Sequence, residues 1–152
     1  MDYRRFFRRP AEEVAKDLLG RYLVRETRDL SLAGRIIQTG AYEEGTEIPS
    51  REGMLYTPGT IFVMPFRGSS FLNIATDRSE EPSCVLVRQV ALNEGVLDGP
   101  GKVGDFFEIE NLNGLLFENE FQLMGNSVDQ RKIKRQVRGT SENCLGYYSI
   151  KK

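Results

Sequence analysis

The chain has 152 residues, a formal net charge of −1 at pH 7, two cysteines, and neither histidine nor tryptophan. This length predicts a single domain over residues 1–152, because domains typically contain about 100–200 residues. The lack of histidine excludes Ser-His-Asp and Cys-His catalysis and histidine-ligated zinc. Proton transfer in any active site would therefore depend on carboxylates, Lys, Tyr, Cys or bound water.

The two cysteines, Cys84 and Cys144, are too far apart in sequence for a CxxC motif. We therefore predict neither a metal site nor a redox pair, and we expect no cofactor. Each cysteine lies beside apolar residues, so a buried free thiol is the simplest interpretation. No stretch resembles a signal peptide or reaches the ~20 apolar residues of a membrane span, which favours a cytoplasmic protein with no membrane partner.

The first clear element in chain order is a helix. Apolar residues recur at helical spacing from Ala11 to Leu19, Pro10 suits the first helical turn, and Gly20 is typical of a helix end. The pattern then changes to short segments rich in β-branched and aromatic residues, which predict strands. These segments are residues 22–24, 35–39, 60–64, 71–75, 84–92 and 147–150.

Because strands outnumber helices, we expect a mixed α/β (α+β) fold: a single compact domain built on a largely antiparallel curved β-sheet with few helices. Residues 32–34 predict a bend before the second strand, and residues 115–117 and 121–123 predict a hairpin around residues 118–120. Residues 43–58 form the longest polar, turn-rich connection, and long loops in compact domains are often functional. Four phenylalanines are assigned to the core: Phe62, Phe66, Phe71 and Phe117.

Residues 99–104 (GPGKVG) match the GxGxxG pattern of dinucleotide-binding folds. That pattern is meaningful only inside a βαβ unit, and the rest of the chain shows no such unit. We therefore predict a turn that leads into a short helix through Phe107. The N-terminus of this helix, together with Lys102, would suit a phosphate.

Charge is unevenly distributed along the chain. Residues 1–9 carry four arginines and one aspartate, and residues 129–152 carry seven basic and two acidic side chains. Residues 31–128, in contrast, carry six basic and fourteen acidic side chains. Basic ends of this kind either form a footprint for a phosphate backbone or keep the termini soluble, and charge alone leaves both interpretations open.

Five motifs stand out in the order residues 34–42 (GRIIQTGAY), 54–63 (MLYTPGTIFV), 71–74 (FLNI), 84–88 (CVLVR) and 99–102 (GPGK). In this order and at these spacings, the chain resembles the alkyladenine (3-methyladenine) DNA glycosylase family, as a shortened and divergent member. The resemblance implies a monomer that binds damaged duplex DNA through a compact, mostly antiparallel domain. It also implies base excision repair, in which a flipped purine enters an aromatic pocket and a carboxylate activates water to attack the sugar C1′.

The resemblance assigns roles to individual residues of this sequence. Tyr42 matches the pocket tyrosine, Met64 matches a second pocket tyrosine, and Asn73 matches an asparagine that helps to hold the flipped nucleotide. Arg88 matches the catalytic-site arginine near the attacking water and the sugar phosphate, and Arg67 falls near the tyrosine that wedges into the duplex. From the residues alone, Tyr42 also suits a half-buried strand position, and Arg88 also suits the solvent face.

The catalytic carboxylate of the family is missing from this chain. Its position, two residues before Tyr42, is Gly40, and an earlier family glutamate is Gln38. If the strand continued, Glu44 would lie about 13 Å from Gly40 on the same face and Glu43 would point to the other face, since strands rise about 3.3 Å per residue. Either one of these glutamates replaces the missing base, or both are solvated loop carboxylates.

Two functions from different classes follow from these observations. The first is a DNA glycosylase that hydrolyses the N-glycosidic bond of alkylated purines. The second is a non-catalytic protein that kept the fold and binds DNA lesions. The family resemblance favours the first function, whereas the missing carboxylate favours the second, because loss of a general base typically costs about 10²–10⁴-fold in rate. A small-molecule binder that uses the vacated pocket is a third interpretation.

Overall fold

The computed structural model describes residues 1–43, 57–77, 83–136 and 144–151. Most of the loop predicted over residues 43–58, with Glu44, and the side chain of Cys144 lie outside these residues. The helices are α1 (Tyr3–Phe7), α2 (Ala11–Leu18), α3 (Pro100–Phe107) and α4 (Phe117–Glu120), with a 3-10 turn at Gln130–Lys132. The strands are β1 (Tyr22–Glu26), β2 (Ser31–Glu43), β3 (Ile61–Phe66), β4 (Ser69–Ala75), β5 (Ser83–Leu92), β6 (Gly95–Leu97), β7 (Gln122–Met124), β8 (Ile133–Gln136) and β9 (Cys144–Ile150).

The described strands form one sheet with the main order β3-β4-β5-β2-β1-β7, and their pairings are antiparallel. Off this path, β6 pairs with β5, β8 pairs with β9, and β9 pairs with β2. The antiparallel sheet and the few helices confirm the predicted α+β class. Strand β2 is central because its 13 residues pair with β5 and with both β1 and β9.

The core lies between the sheet and helices α1, α2 and α3. Phe7 of α1, Val14 and Leu18 of α2, and Phe107 of α3 are buried in one cluster with Ile36 of β2. Their helical spacing gives α2 one apolar stripe, which packs against the sheet. Full burial of a side chain of this size stabilises the folded state by roughly 1.5–3 kcal/mol relative to leaving it exposed. We call this side of the sheet, marked by Ile36, the helix-covered face and the other side the opposite face.

Register shifts in the pairing of β2 with β5 change which side chains share a face. They fall between Ile36 and Gln38 and between Gln38 and Thr39. Ile36 and Thr39 are both buried, and Thr39 Oγ1 donates a hydrogen bond to the Ala15 carbonyl in α2 over 2.8 Å. Ile37 and Gln38 lie between these two inward-facing residues and are both partly exposed on the opposite face. The strand then alternates regularly towards its end.

The hairpin predicted around residues 118–120 is wrong. Phe117–Glu120 form α4, and the strand that follows pairs with β1. Phe117 and Phe121 are both buried and stack with their ring centroids 5.2 Å apart at an interplanar angle of 17°. An aromatic pair four residues apart stabilises a helical turn, so burial of both rings favours α4 over a hairpin.

The bend predicted at residues 32–34 is also wrong, since these residues lie within β2. A Cβ on Gly34 would lie only 2.2 Å from Val90 Cγ1, so the glycine allows a close approach of β5. The structure adds α1, β6 and β8, which the sequence analysis did not predict, and confirms the short helix through Phe107. None of the described helices is long and apolar enough to cross a membrane.

We expect Gly104→Ala in α3 to destabilise the protein. A Cβ at this position would lie 1.7 Å from the carbonyl oxygen of Ser70 in β4, so α3 would have to move away from the sheet. Overpacking of this kind typically costs about 1–3 kcal/mol, which outweighs the gain of about 1 kcal/mol in helix propensity. Denaturant unfolding should show a lower free energy of unfolding than for Asp105→Ala, an exposed control on the same helix. Equal stability of the two variants would contradict this close packing.

Candidate functional site

One row of directly paired residues crosses four strands on the opposite face. Asn73 of β4 pairs with Leu86 of β5, Leu86 pairs with Gly40 of β2, and Gly40 pairs with Tyr147 of β9. Directly opposed residues in antiparallel strands point to the same side of the sheet. The row therefore has a gap without a side chain at Gly40, with Leu86 on one side and Tyr147 on the other.

The rings of Tyr42 and Tyr147 occupy the space next to Gly40. Their centroids are 6.4 Å apart, the rings are tilted by 57°, and their hydroxyl oxygens are 3.4 Å apart. A Cβ on Gly40 would lie 3.0 Å from Tyr42 Cε2 and 3.3 Å from Tyr147 Cδ1. Tyr42 is only 8% exposed and belongs to a small buried cluster with Cys84 and Leu86. Two aromatic rings thus lie where a longer side chain at position 40 would extend.

Arg88 is held by neutral partners. The centre of its guanidinium lies 3.9 Å from the centroid of the Tyr147 ring, a cation–π arrangement. Arg88 Nε donates to Gln38 Oε1 over 3.1 Å, and Gln38 Nε2 donates to Ser149 Oγ over 3.0 Å. Among the described residues, no carboxylate forms an ion pair with Arg88. The positive charge of Arg88 is therefore fixed in place without being neutralised by a described neighbour.

Asn73 is a buried amide with long contacts. The residue is 1% exposed, its Nδ2 donates to the Phe71 carbonyl over 3.4 Å, and its Oδ1 accepts from Cys84 Sγ over 3.8 Å. Both distances are at the weak end of hydrogen bonding, although a buried amide normally forms good bonds. Burial raises the pKa of the Cys84 thiol, so it stays protonated. Cys84 is a buried free thiol, as predicted.

The β3–β4 turn exposes an aromatic ring beside a cation. Arg67 has a φ of 49°, and its guanidinium lies 5.2 Å from the centroid of the Phe66 ring. Phe66 is 44% exposed, so its assignment to the core is wrong. Phe66 is the last residue of β3, so its ring lies at the tip of the hairpin, where its centroid is 5.3 Å from that of Phe71. Met64 lies further down β3, buried and directly opposite Phe71.

The structure brings most of the candidate residues onto adjoining strands. Tyr42, Met64, Asn73 and Arg88 all lie on the opposite face, whereas Arg67 lies at the hairpin tip. Glu43 pairs with Ser83 on the helix-covered face, in line with the predicted alternation, and Glu44 lies outside the described residues. In the described part of the chain, no group of three or more Cys, Asp or Glu side chains is placed to hold a metal ion.

Tyr147 is the site residue that the sequence analysis missed. The adjacent Tyr148 is fully buried on the helix-covered face, where its hydroxyl donates to Glu12 Oε2 of α2 over 2.9 Å. Alternation along β9 therefore turns Tyr147 to the site. The signal in the sequence is the tyrosine pair in the last predicted strand, but the sequence does not show that this strand pairs with β2.

Comparisons with known proteins show which sequences this chain is similar to. Residues 5–140 match the methylpurine-DNA glycosylase (MPG) family. The "Putative 3-methyladenine DNA glycosylase" of Chlorobium phaeobacteroides is 35% identical over 146 residues, which cover 78% of this chain and 74% of that protein. A protein of the same name from Salinibacter ruber is 31% identical over 171 residues, with coverages of 88% and 83%. The "DNA-3-methyladenine glycosylase" of Mus musculus is 35% identical over 103 residues, with coverages of 60% and 30%.

A largely antiparallel sheet with an aromatic, arginine-containing site is thus combined with a family match over most of the sequence. The chain belongs to the methylpurine-DNA glycosylase family. Membership implies DNA as the class of substrate and DNA repair as the process. The family resemblance that the sequence motifs indicated is confirmed.

We expect Tyr42→Ala to remove the preference for damaged DNA. If Tyr42 stacks on an extruded base, its loss should cost about 1–3 kcal/mol of binding to a hypoxanthine-containing duplex and leave the affinity for the undamaged duplex almost unchanged. Fluorescence anisotropy with both duplexes measures this difference. Tyr42→Phe, which keeps the ring, should retain the preference, and Tyr22→Ala is a matched control on an exposed tyrosine of β1. An equal loss for both duplexes would make Tyr42 a purely structural residue.

Proposed function

We propose that this protein is a DNA glycosylase of the 3-methyladenine type, which extrudes an alkylated purine from duplex DNA and hydrolyses its N-glycosidic bond. The observation that carries the proposal is the convergence of Tyr42, Asn73 and Arg88 on one face of the sheet. These are the residues that the family motifs assign to the base and the sugar phosphate. The names of the relatives support the same class of substrate.

The base would be recognised by stacking. An alkylated purine is electron-poor, and such a base is attracted to the electron-rich faces of aromatic rings. Tyr42 and Tyr147 offer two such faces beside Gly40, with their hydroxyls 3.4 Å apart. The two rings must separate if a base enters between them. The buried amide of Asn73, whose present contacts are long, would then gain the nucleotide as a better hydrogen-bond partner.

The β3–β4 turn would hold the duplex open. Proteins that extrude a base or bend DNA often insert an apolar side chain between base steps. The family motifs place this role near Arg67, and the exposed ring of Phe66 beside it supplies the apolar surface. In this proposal Phe66 fills the space that the extruded base leaves, and Arg67 contacts a phosphate.

Arg88 is the proposed catalytic residue. The hydrogen bonds described for its guanidinium use only Nε, so the terminal N–H groups are placed to bind the sugar phosphate and to orient a water molecule. A guanidinium does not accept a proton at neutral pH, so it cannot act as a general base. The reaction would instead rely on the alkylated base as a good leaving group and on the orientation of the water.

The second candidate function is lesion binding without excision. It is favoured by the tyrosine rings beside Gly40, at the position where the family has its carboxylate. A general base typically contributes about 10²–10⁴-fold to the rate, and the described site contains no group in that role. Both candidates share the same extruded nucleotide and the same contacts, and they differ only in the chemical step.

Single-turnover release of 3-methyladenine from a defined duplex separates the two functions. We expect the protein to release the base faster than the spontaneous reaction, and we expect Arg88→Gln to lose at least about ten-fold of that rate while the duplex stays bound. Lesion-selective binding with release at the spontaneous rate would support the second function. If the protein shows neither base release nor a preference for damaged DNA, both candidate functions are wrong.

A carboxylate at position 40 should increase excision once the tyrosines give it room. In Gly40→Glu alone, the rings of Tyr42 and Tyr147 crowd the new side chain. In Gly40→Glu combined with Tyr147→Ser, the carboxylate gains space and the charge of Arg88 favours its ionised form. We expect this double variant to excise 3-methyladenine about 10²–10⁴-fold faster than the equivalent double variant with Gln at position 40, because both lack the Tyr147 ring and differ only in the carboxylate.

The matched control is Gly40→Gln combined with Tyr147→Ser, which has the same shape and no base. Both double variants should be folded and should bind the duplex, as measured by circular dichroism and anisotropy. A glutamate variant no faster than the glutamine variant would show that a carboxylate at position 40 does not reach the attacking water.

A further inference from the structure

A groove of about 840 Å³ lies on the opposite face of the sheet beside the candidate site. It runs between β2, β5, β8 and the end of β9. Its polar lining consists mainly of three cations and three amides: Arg35, Lys134, Lys151, Gln38, Gln89 and Gln136. Among the residues that the structure describes, no acidic side chain lines this groove.

The register shifts of β2 and β5 create this lining. Ile37 and Gln38 both lie on the opposite face because the residues on either side of them are buried. In β5, Gln89 pairs with Gln38, so two amides meet across the strands. On β8, Lys134 pairs with Ser149 of β9, which places the cation beside the amide of Gln38. A regular alternation in β2 would have turned one of its two outward side chains into the core.

The three cations of the groove are not engaged by described carboxylates. The side-chain hydrogen bond described for Arg35 goes to the Gly20 carbonyl over 3.4 Å, and Lys134 and Lys151 are exposed. Within the described ranges, no ion pair involves any of the three. The groove therefore concentrates positive charge that is available to an anion.

Other cations of the protein serve its structure. Arg9 and Arg21 both bind Asp17, at 2.8 and 3.0 Å. Burial raises the pKa of Asp17, but hydrogen bonds from Arg21 and Arg9 outweigh this effect and hold the pKa below its usual range. Arg131 likewise binds Asp129 at 2.9 Å. The basic termini thus contribute Arg9 and Arg131 to structural pairs and Lys134 and Lys151 to the groove.

The groove is continuous with the candidate site. Gln38 lines the groove, accepts from Arg88 Nε and donates to Ser149 Oγ. Arg88 in turn stacks on Tyr147, so a row of cations and amides ends at an aromatic ring. A basic groove combined with an aromatic stacking surface is typical of sites for single-stranded nucleic acid. Lys, Arg, Gln and Ser side chains are the common ligands of phosphate oxygens.

We propose that this groove binds the sugar-phosphate backbone of one nucleic-acid strand, next to the nucleotide held at the candidate site. The proposal rests on the proposed function in taking DNA as the occupant. A basic groove that ends at an aromatic ring suits one strand rather than a duplex, because an aromatic ring stacks on unpaired bases. The strand that carries the extruded nucleotide would follow β8 and β9 away from Tyr147.

The test compares two charge-matched variants of the full chain. Lys134→Gln combined with Lys151→Gln removes two cations from the groove, and Arg28→Gln combined with Lys16→Gln removes two cations elsewhere, between β1 and β2 and on α2. The probe is a fluorescein-labelled oligothymidine of about 12 nucleotides, within the usual range of single-strand sites. Its dissociation constant is measured by anisotropy over a series of salt concentrations.

We expect the groove variant to bind more weakly and to lower the slope of log affinity against log salt by about 1.4, which is about 0.7 for each lost phosphate contact with a single strand. The control variant should keep the dissociation constant and the salt slope of the parent. Equal losses of affinity in the two variants would reveal a general charge effect and overturn the proposal. An unchanged slope in the groove variant would also overturn it, and so would a parent protein that does not bind oligothymidine.

Failure of this proposal is distinguishable from failure of the proposed function. If lesion preference and base release persist while the groove variant keeps its salt slope, the groove proposal is wrong and the proposed function stands. If the groove variant loses salt dependence but the parent shows neither lesion preference nor release, the groove binds nucleic acid and the proposed function is wrong.

Discussion

The pairing of β2 with β5 and β9 is the constraint on which the whole site depends. It places Gly40 between Leu86 and Tyr147 and brings three strands from distant parts of the chain to one point. A slip by one residue would turn Gly40 to the helix-covered face and expose Thr39 and Ala41, because side chains alternate with a period of two. Burial of Thr39 and Ala41 therefore holds the register that the site needs.

Glycine at position 40 changes the electrostatics of its surroundings. A carboxylate there would compensate the charge of Arg88, whereas the described partners of Arg88 are the Gln38 amide and the Tyr147 ring. Neutral partners fix the guanidinium but leave its field available to a phosphate or another anion. The same glycine lets the Tyr42 and Tyr147 rings approach each other, so aromatic surface and positive charge occur together where the family has an acid.

The local geometry of the sheet links the candidate site to the groove. The register shifts in β2 add an extra outward-facing residue, and Gln38 at this point bonds both Arg88 and Ser149. Bulge-like irregularities often redirect side chains near functional sites. A change at the groove that moved Gln38 would therefore also move Arg88, and the two regions are expected to respond together to a bound strand.

Local patterns in the sequence determined the helix from Ala11, the strands of the sheet other than β6 and β8, the α+β class and, through the order of its motifs, the family. Tertiary structure decided the rest. The α4 turn depends on burial of the Phe117 ring among distant aromatic residues, and the role of Tyr147 depends on β9 pairing with β2. Periodicity shows that a segment is a strand, but its partner and register depend on contacts with residues far along the chain, which local spacing does not encode.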